Sequence, residues 1–276
     1  MHISVIVTTY NQPDWLEMTL WGLATQSERN FEIVVADDGS GPDTHERIER
    51  FRREADLPVQ HIWHEDQGFR KCEIRNKAIL ASTGNYLVFT DGDCIPRSDF
   101  LALHRQLAER GRFLSGGYLK LPADTSRKIT REDVLAGRAT HCRWLRANGA
   151  PPSRQLLRLA VPARAATLLD CLTPTRPTWN GHNASAWRHD ILAANGFDER
   201  MAYGGLDREL GERLENAGIR GKQIRHRALV VHLDHPRGYR NEEGLRRNRE
   251  IRRETVATKR TRAVVGLDRH MAVASH

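Results

Sequence analysis

The chain has no apolar run near the roughly 20 residues that span a bilayer, and its opening HISVIVTTYN lacks the charged-then-apolar pattern of a signal peptide. Neither a spanning helix nor a secretory leader is therefore expected. Cysteine is scarce: Cys72, Cys94, Cys142 and Cys171 form no CxxC pair and lack the spacing of a disulfide framework. Free thiols and a reducing compartment follow, so the expected location is cytoplasmic, with the inner face of a membrane within reach. The first apolar run leads into TTYNQPDW rather than into GxGxxG or GxxxxGK[ST], which excludes a dinucleotide fingerprint and a P-loop there. Aromatic residues make up 7% of the chain and do not interleave with the basic residues of its end. Stacking on single-stranded nucleic acid is accordingly not expected.

The 276 residues, 39% of them hydrophobic, can bury a sizeable core. The net charge of +8 is concentrated near the end: from Pro236 onward eleven Lys or Arg face five Asp or Glu, a net +6. The body is nearly neutral. The segment RRNREIRRETVATKRTR can meet phosphates or anionic lipid headgroups; a solvated helix or a partly disordered end is the plainer alternative.

ISVIVT (3–8), FEIVVADDGS (31–40), VQHIW (59–63) and YLVFTD (86–91) read as strands. They alternate with the helical patterns WLEMTLWGLATQ (15–26), THERIERFRRE (44–54) and KCEIRNKAILAST (71–83), the last closed by Gly84. FLSGGYLKLP (113–122) is expected to be one strand returning beside the aspartate edge. Near-continuous hydrophobic strands need cover on both faces, so the pattern predicts an α/β fold with a parallel sheet. Ligands collect beyond the carboxyl ends of such sheets, where YLVFTDGDCIP puts Asp91 and Asp93 and FEIVVADDGS puts Asp37 and Asp38. Paired carboxylates can share a hard cation and the phosphates it bridges. A lone DxD is a weak signal, because acidic turns after strands are common, and the second acidic strand end strengthens it.

SVIVTTYNQPDWLEMTLWGLATQ, FEIVVADDGS and QGFRKCEIRNKAILASTGNYLVFTDGDCIP resemble the nucleotide-sugar-binding half of family 2 glycosyltransferases of the GT-A fold. WNGHNASAWRHDILAANGFDERMAYGGLDRELGERLENAG resembles the acceptor half of galactosyltransferase-like and polysaccharide polymerase-like members. The resemblance implies a mostly parallel sheet flanked by helices, with a donor half at 1–115, an acceptor and catalytic-base half at 116–235, and a basic lid or tail at 236–276. It also implies an inverting transfer from a nucleotide-sugar to a hydroxyl of a glycan or lipid-linked saccharide, with Mn²⁺ or Mg²⁺ assisting departure of the diphosphate. A UDP-sugar is the leading donor class, in polysaccharide or cell-envelope biosynthesis. The basic tail is the candidate for peripheral contact with anionic membrane.

Residue by residue, the resemblance places the nucleoside against Thr8, Tyr10 and Asp37 or Asp38, and the metal on Asp93, with Asp91 on ribose or in the metal shell. Arg75 would meet a phosphate or the rim, or form a helix-surface salt bridge. The base falls at Asp207, with an N-cap as the alternative role; relatives carry an acidic residue just before it where this chain has Leu206, and Glu209 is the candidate for the lost charge. Trp179 can stack on a sugar or be buried, Asn180, His182 and Asn183 offer hydrogen bonds, and Gly181 and Gly117 allow close approach. His232 is preferred to His235 as a further metal ligand, and Gly238 and Tyr239 are the lid candidates. The Arg-, Ala- and Pro-rich stretch 123–177 suits an anionic acceptor or plain solvated helices equally. Two other classes stay in view. A nucleotidyltransferase would want a basic Gly-rich loop where TTYNQPDW stands, and a noncatalytic sugar- or nucleic-acid-binding protein would not need Asp91, Asp93, Asp207 and a strand-end histidine together.

Overall fold

The structure, a computed structural model, describes residues 1–235 and 241–271. Four parallel strands lead: β1 (Ile3–Thr9), β2 (Phe31–Asp37), β3 (Val59–Trp63) and β4 (Tyr86–Asp91), joined by helices α1 (Pro13–Ala24), α2 (Pro42–Glu54) and α3 (Lys71–Ala81). Then come β5 (Cys94–Pro96), α4 (Phe100–Leu107), β6 (Arg112–Ser115) and β7 (Gly117–Lys120). Short helices fill the next stretch: α5 (Ala123–Ser126), α6 (Arg131–Leu135), α7 (Cys142–Ala147), α8 (Arg154–Arg158) and α9 (Ala163–Leu172). The chain continues through β8 (Ala184–Trp187), α10 (Arg188–Ala193), α11 (Leu206–Asn216), β9 (Arg220–Gln223), β10 (Leu229–His232), α12 (Glu242–Ala257) and α13 (Asp268–Met271).

Seven strands form one sheet in the order β3-β2-β1-β4-β8-β6-β9, and three form a second in the order β5-β10-β7. Three of the first four strands, β1, β2 and β4, are buried almost throughout because alternate side chains serve opposite cores. Val5, Val7, Ile33, Val35 and Val88 face one cluster with Leu16, Leu20, Ile48 and Phe51. Ile6, Val34, Leu87 and Phe89 face the other with Ile74, Ile79, Leu210 and Leu214.

Three expectations are corrected. FLSGGYLKLP is two strands: β6 lies antiparallel to β8 in the large sheet, whereas β7 pairs with β10 in the small one. The chain changes sheets at Gly116, where any Cβ would collide with the Asn183 amide. The third helix ends at Ala81 with Ser82 as its cap, so Gly84 does not close it; Gly84 packs instead on Ser4 of β1. The basic end is not a free solvated helix, because α12 packs on α11 and on the turn before it, burying Asn248, Ile251 and Thr255. Gly238 and Tyr239 lie outside the described residues. Among the described residues, no helix is long and apolar enough to cross a membrane.

Candidate active site

The carboxyl ends of β1 and β4, the turn after β4, the end of β10 and the start of α11 surround a cleft of about 660 Å³. Of the residues singled out above, Thr8, Tyr10, Asp38, Asp91, Asp93, His182, Asp207, His232 and His235 line it.

Behind the cleft floor lies Arg75, fully buried. Its Nε donates to Thr8 Oγ1 at 2.9 Å, its Nη1 to Asp207 Oδ1 at 2.7 Å and its Nη2 to Asp91 Oδ1 at 3.1 Å. Arg75 therefore lies neither on a rim nor on a helix surface; it bridges carboxylates from the two halves of the chain. Lys71, one helical turn earlier on the same face of α3, reaches Asp91 Oδ1 at 2.8 Å. Burial opposes the charge of Asp91, yet Lys71 and Arg75 hold its carboxyl well below the ordinary range. Gly181 belongs to this knot, since a Cβ there would strike both Arg75 and Asp207. Its backbone approaches the chain's own side chains.

Asp93 sits between two histidines: His235 Nε2 is 2.8 Å and His232 Nε2 3.6 Å from Asp93 Oδ2, with the two rings stacked at 5.7 Å. His232 Nδ1 lies 2.7 Å from the Leu233 carbonyl. A carbonyl only accepts, so Nδ1 donates to it and Nε2 is the ring nitrogen left facing Asp93 and the cleft. On the other side the Cys94 thiol, kept protonated by burial and by Asp93, donates to Asp93 Oδ1. Asp93, Cys94 and His232 bring ligand-type atoms within 4.8 Å of one another, and a protonated thiol suits a hard cation less well than the carboxylate and imidazole do.

Asp207 is the second residue of α11, whose cap is Gly205 at φ 85°, a left-handed conformation that glycine adopts without strain. Asp207 is thus not the N-cap; its carboxylate faces the cleft near the positive end of the helix. His182 lies close to Asp91 and Asp207, but burial outweighs them and lowers its pKa, which favours a neutral ring whose Nε2 has no partner among the described residues. Asp38 accepts from His64 and from the Arg70 backbone, while burial raises its pKa.

Several expected contacts fall elsewhere. Trp179 does not reach the cleft; it is in the core, edge-on to Phe89 at 5.4 Å. Asn183 is buried and spends its amide on the Gly117 and Ala228 carbonyls, tying the two sheets together. Gly117 admits the Arg225 carbonyl rather than a ligand. Asn180 donates to Ser115 at 3.3 Å. Glu209 supplies no charge to the cleft, because it is buried in an ion pair with Arg213 and accepts from Thr255 of α12. Asp37 closes its own turn through the Ser40 backbone and holds His61, so Asp38 is the one of that pair in the cleft.

Sequence reasoning missed four participants: Lys71, the cleft aromatics Phe69 and Tyr203, whose rings meet edge-on at 5.9 Å, and Asn248. The spacing of Lys71 and Arg75 was the available signal for the first. Asn248 of α12, 1% exposed, bonds the Ala202 N–H at 3.1 Å and donates to the Ala202, Tyr203 and Gly204 carbonyls at 2.8, 3.1 and 2.7 Å. It grips the turn that leads into Asp207.

A mostly parallel sheet flanked by helices, with its cleft at the carboxyl edge, defines a GT-A type glycosyltransferase fold. The family model for glycosyl transferase family 2 matches residues 4–148, and the chain belongs to that family. An Escherichia coli chondroitin synthase is 26% identical over 244 residues, 85% of this chain and 35% of that protein. A validoxylamine A glucosyltransferase of Streptomyces hygroscopicus subsp. jinggangensis is 30% identical over 227 residues, 79% of this chain and 52% of that protein. The chain thus spans about a third to a half of these relatives' length. Among solved structures, the mannosyltransferase PcManGT of Pyrobaculum calidifontis, in complex with GDP-Man and Mn²⁺, has a TM-score of 0.58 at 21% identity, covering 90% of this chain and 60% of that one. S. aureus TarS 1–349 with UDP-GlcNAc gives 0.60 at 16% identity, covering 98% of this chain and 69% of that one.

Proposed function

We propose that this protein transfers a sugar from a nucleotide-sugar, a UDP-sugar first, to a hydroxyl of a glycan or lipid-linked saccharide, with inversion at the anomeric carbon. The observation that carries this reading is the convergence of Asp91, Asp93 and Asp207 on one cleft, with Arg75 buried between Asp91 and Asp207. In this reading residues 1–115 supply the donor side, 116–235 the acceptor side with its base, and 236–276 the basic lid or tail. Chondroitin synthase and TarS with UDP-GlcNAc support the polymer context and the donor class by analogy.

Thr8, Tyr10 and Asp38 line the end suited to a nucleoside, with Asp91 available to ribose. A divalent Mn²⁺ or Mg²⁺ would fit Asp93 and His232, because the Leu233 carbonyl engages His232 Nδ1 and leaves Nε2 as the ring nitrogen on the Asp93 side, and the nearby His235 offers a third group. When bound, such an ion neutralises charge that grows on a departing diphosphate. The carboxylate of Asp207 takes the proton of the acceptor hydroxyl as its oxygen attacks the anomeric carbon, while the hydrogen bond from Arg75 holds that carboxylate in place. Neutral His182 can orient a sugar hydroxyl through its unpaired Nε2.

Isothermal titration with UDP-, GDP-, dTDP- and CDP-sugars, in Mn²⁺ and in EDTA, tests the reading. Metal-dependent binding of one nucleotide class that disappears in Asp93→Ala is the expected result. A folded chain that binds none of them overturns it.

A further inference from the structure

We propose that α8 and α9, rather than the basic end of the chain, form the surface by which this protein docks on an anionic lipid bilayer. In α9 the stripe of Ala166 and Asp170 is buried, and Asp170 is anchored by His226 and Arg227. On the opposite side Arg164, Leu168 and Leu172 recur at i, i+4 and i+8, so one helix face carries a guanidinium followed by two leucines. Leu168 and Leu172 are 59% and 68% exposed, and Leu157, three residues after Arg154 in α8, is 62% exposed. Leu168 and Leu172 adjoin one turn apart on α9, and Arg158 of α8 lies near Asp170 of α9, so the exposed apolar side chains of the two helices belong to one region of the surface.

The charge selects the occupant. Between Cys142 and Arg176 the chain has six arginines and one acidic residue, Asp170, which is internally paired. Arg176 pairs with Glu215, whereas Arg143, Arg154 and Arg164 are exposed and make no ion pair among the described residues. A second copy of the chain would set two cationic faces against each other. Leucines flanked by arginines on a short helix suit the headgroup and acyl boundary of an anionic leaflet. By contrast, α12 carries five arginines against four glutamates and spends one face on α11.

The position deepens the proposed transfer and rests on it for its purpose. α8 packs on β7, whose Tyr118 ring lies 4.5 Å from His182 and 6.4 Å from His232. A bilayer held at α8 and α9 would lie beside the cleft and present a lipid-anchored acceptor to it.

Co-sedimentation of the whole chain with vesicles of phosphatidylcholine, alone and mixed with phosphatidylglycerol, tests the surface without donor or acceptor, so it is independent of transfer. The expected result is salt-sensitive binding to the mixed vesicles only. Each of Arg154→Gln and Arg164→Gln should weaken it about fivefold, Leu168→Ser with Leu172→Ser should abolish it, and Arg246→Gln with Arg247→Gln should leave it intact. All six positions are exposed or half-buried surface, and unchanged donor titration or thermal unfolding verifies folding. The proposal is overturned if the chain ignores phosphatidylglycerol, if only the α12 pair weakens binding, or if sedimentation velocity shows a dimer that the leucine variants dissolve.

Discussion

Arg75 Nη1 donates to Asp207 Oδ1 at 2.7 Å across 132 positions of sequence, and the same guanidinium holds Asp91. One buried cation thus fixes the distance between the donor-side aspartate and the proposed base. Removing it would leave two carboxylates facing each other without their shared partner. Arg75→Ala is expected to cost about 3–5 kcal/mol of stability, read as a lower urea midpoint. Arg75→Lys, with a point charge in place of a planar fork, should recover part of that stability but little turnover. A midpoint unchanged in Arg75→Ala would show that the bridge does not hold the site.

Asp207→Asn keeps the shape and loses the proton acceptor. Donor titration should be unchanged while transfer falls by about 10²–10⁴-fold. Equal loss of donor binding would place Asp207 in the donor site instead.

For the metal end, His232→Ala and Asp93→Ala should each weaken Mn²⁺-dependent nucleotide binding, and EDTA should reduce the native chain to the level of Asp93→Ala. If His235→Ala weakens it and His232→Ala does not, the ligand assignment moves to His235, the nearer of the two to Asp93.

Asn248 provides a test of the basic helix. Asn248→Ala strands the turn groups at Ala202, Tyr203 and Gly204, at about 1–3 kcal/mol for a buried group left unpaired. Because this turn leads into Asp207, kcat should fall with the donor KM nearly unchanged, and hydrogen exchange should rise at residues 202–205. A stability loss without a kcat effect would make the contact purely structural.

His104 gives the pH dependence of the fold. It lies fully buried between Ser185 and Asn183, and burial pulls its pKa from 6.5 to about 4 against the opposing Asn183 bond. Above 6.5 the ring is neutral in both folded and unfolded chains, so stability is full there. As pH falls from 6.5 toward 4 the unfolded chain takes the proton first, and on the order of 3 kcal/mol is lost. Urea midpoints at pH 7.5 and 5 should show a smaller drop for His104→Gln than for the native chain.

The local pattern of residues determined the parallel core and its acidic edge. Runs such as ISVIVT and YLVFTD serve two hydrophobic cores at once, so burial on both sides is written into consecutive residues, and a carboxylate that follows such a run must leave at the sheet's edge. Period and polarity are local properties. Which polar groups then face the cleft was decided only by tertiary structure. Asp37 and Asp38 are neighbours of identical chemistry, yet only Asp38 lines the cleft, because the turn and His61 occupy the other. Trp179 was equally able to stack on a sugar or fill the core until Phe89 and Phe113 closed around it. The break at Gly116, the Arg75 bridge and the grip of Asn248 each depend on a partner tens of residues away. Their energy lies in a desolvated contact that exists only once the chain has closed around it.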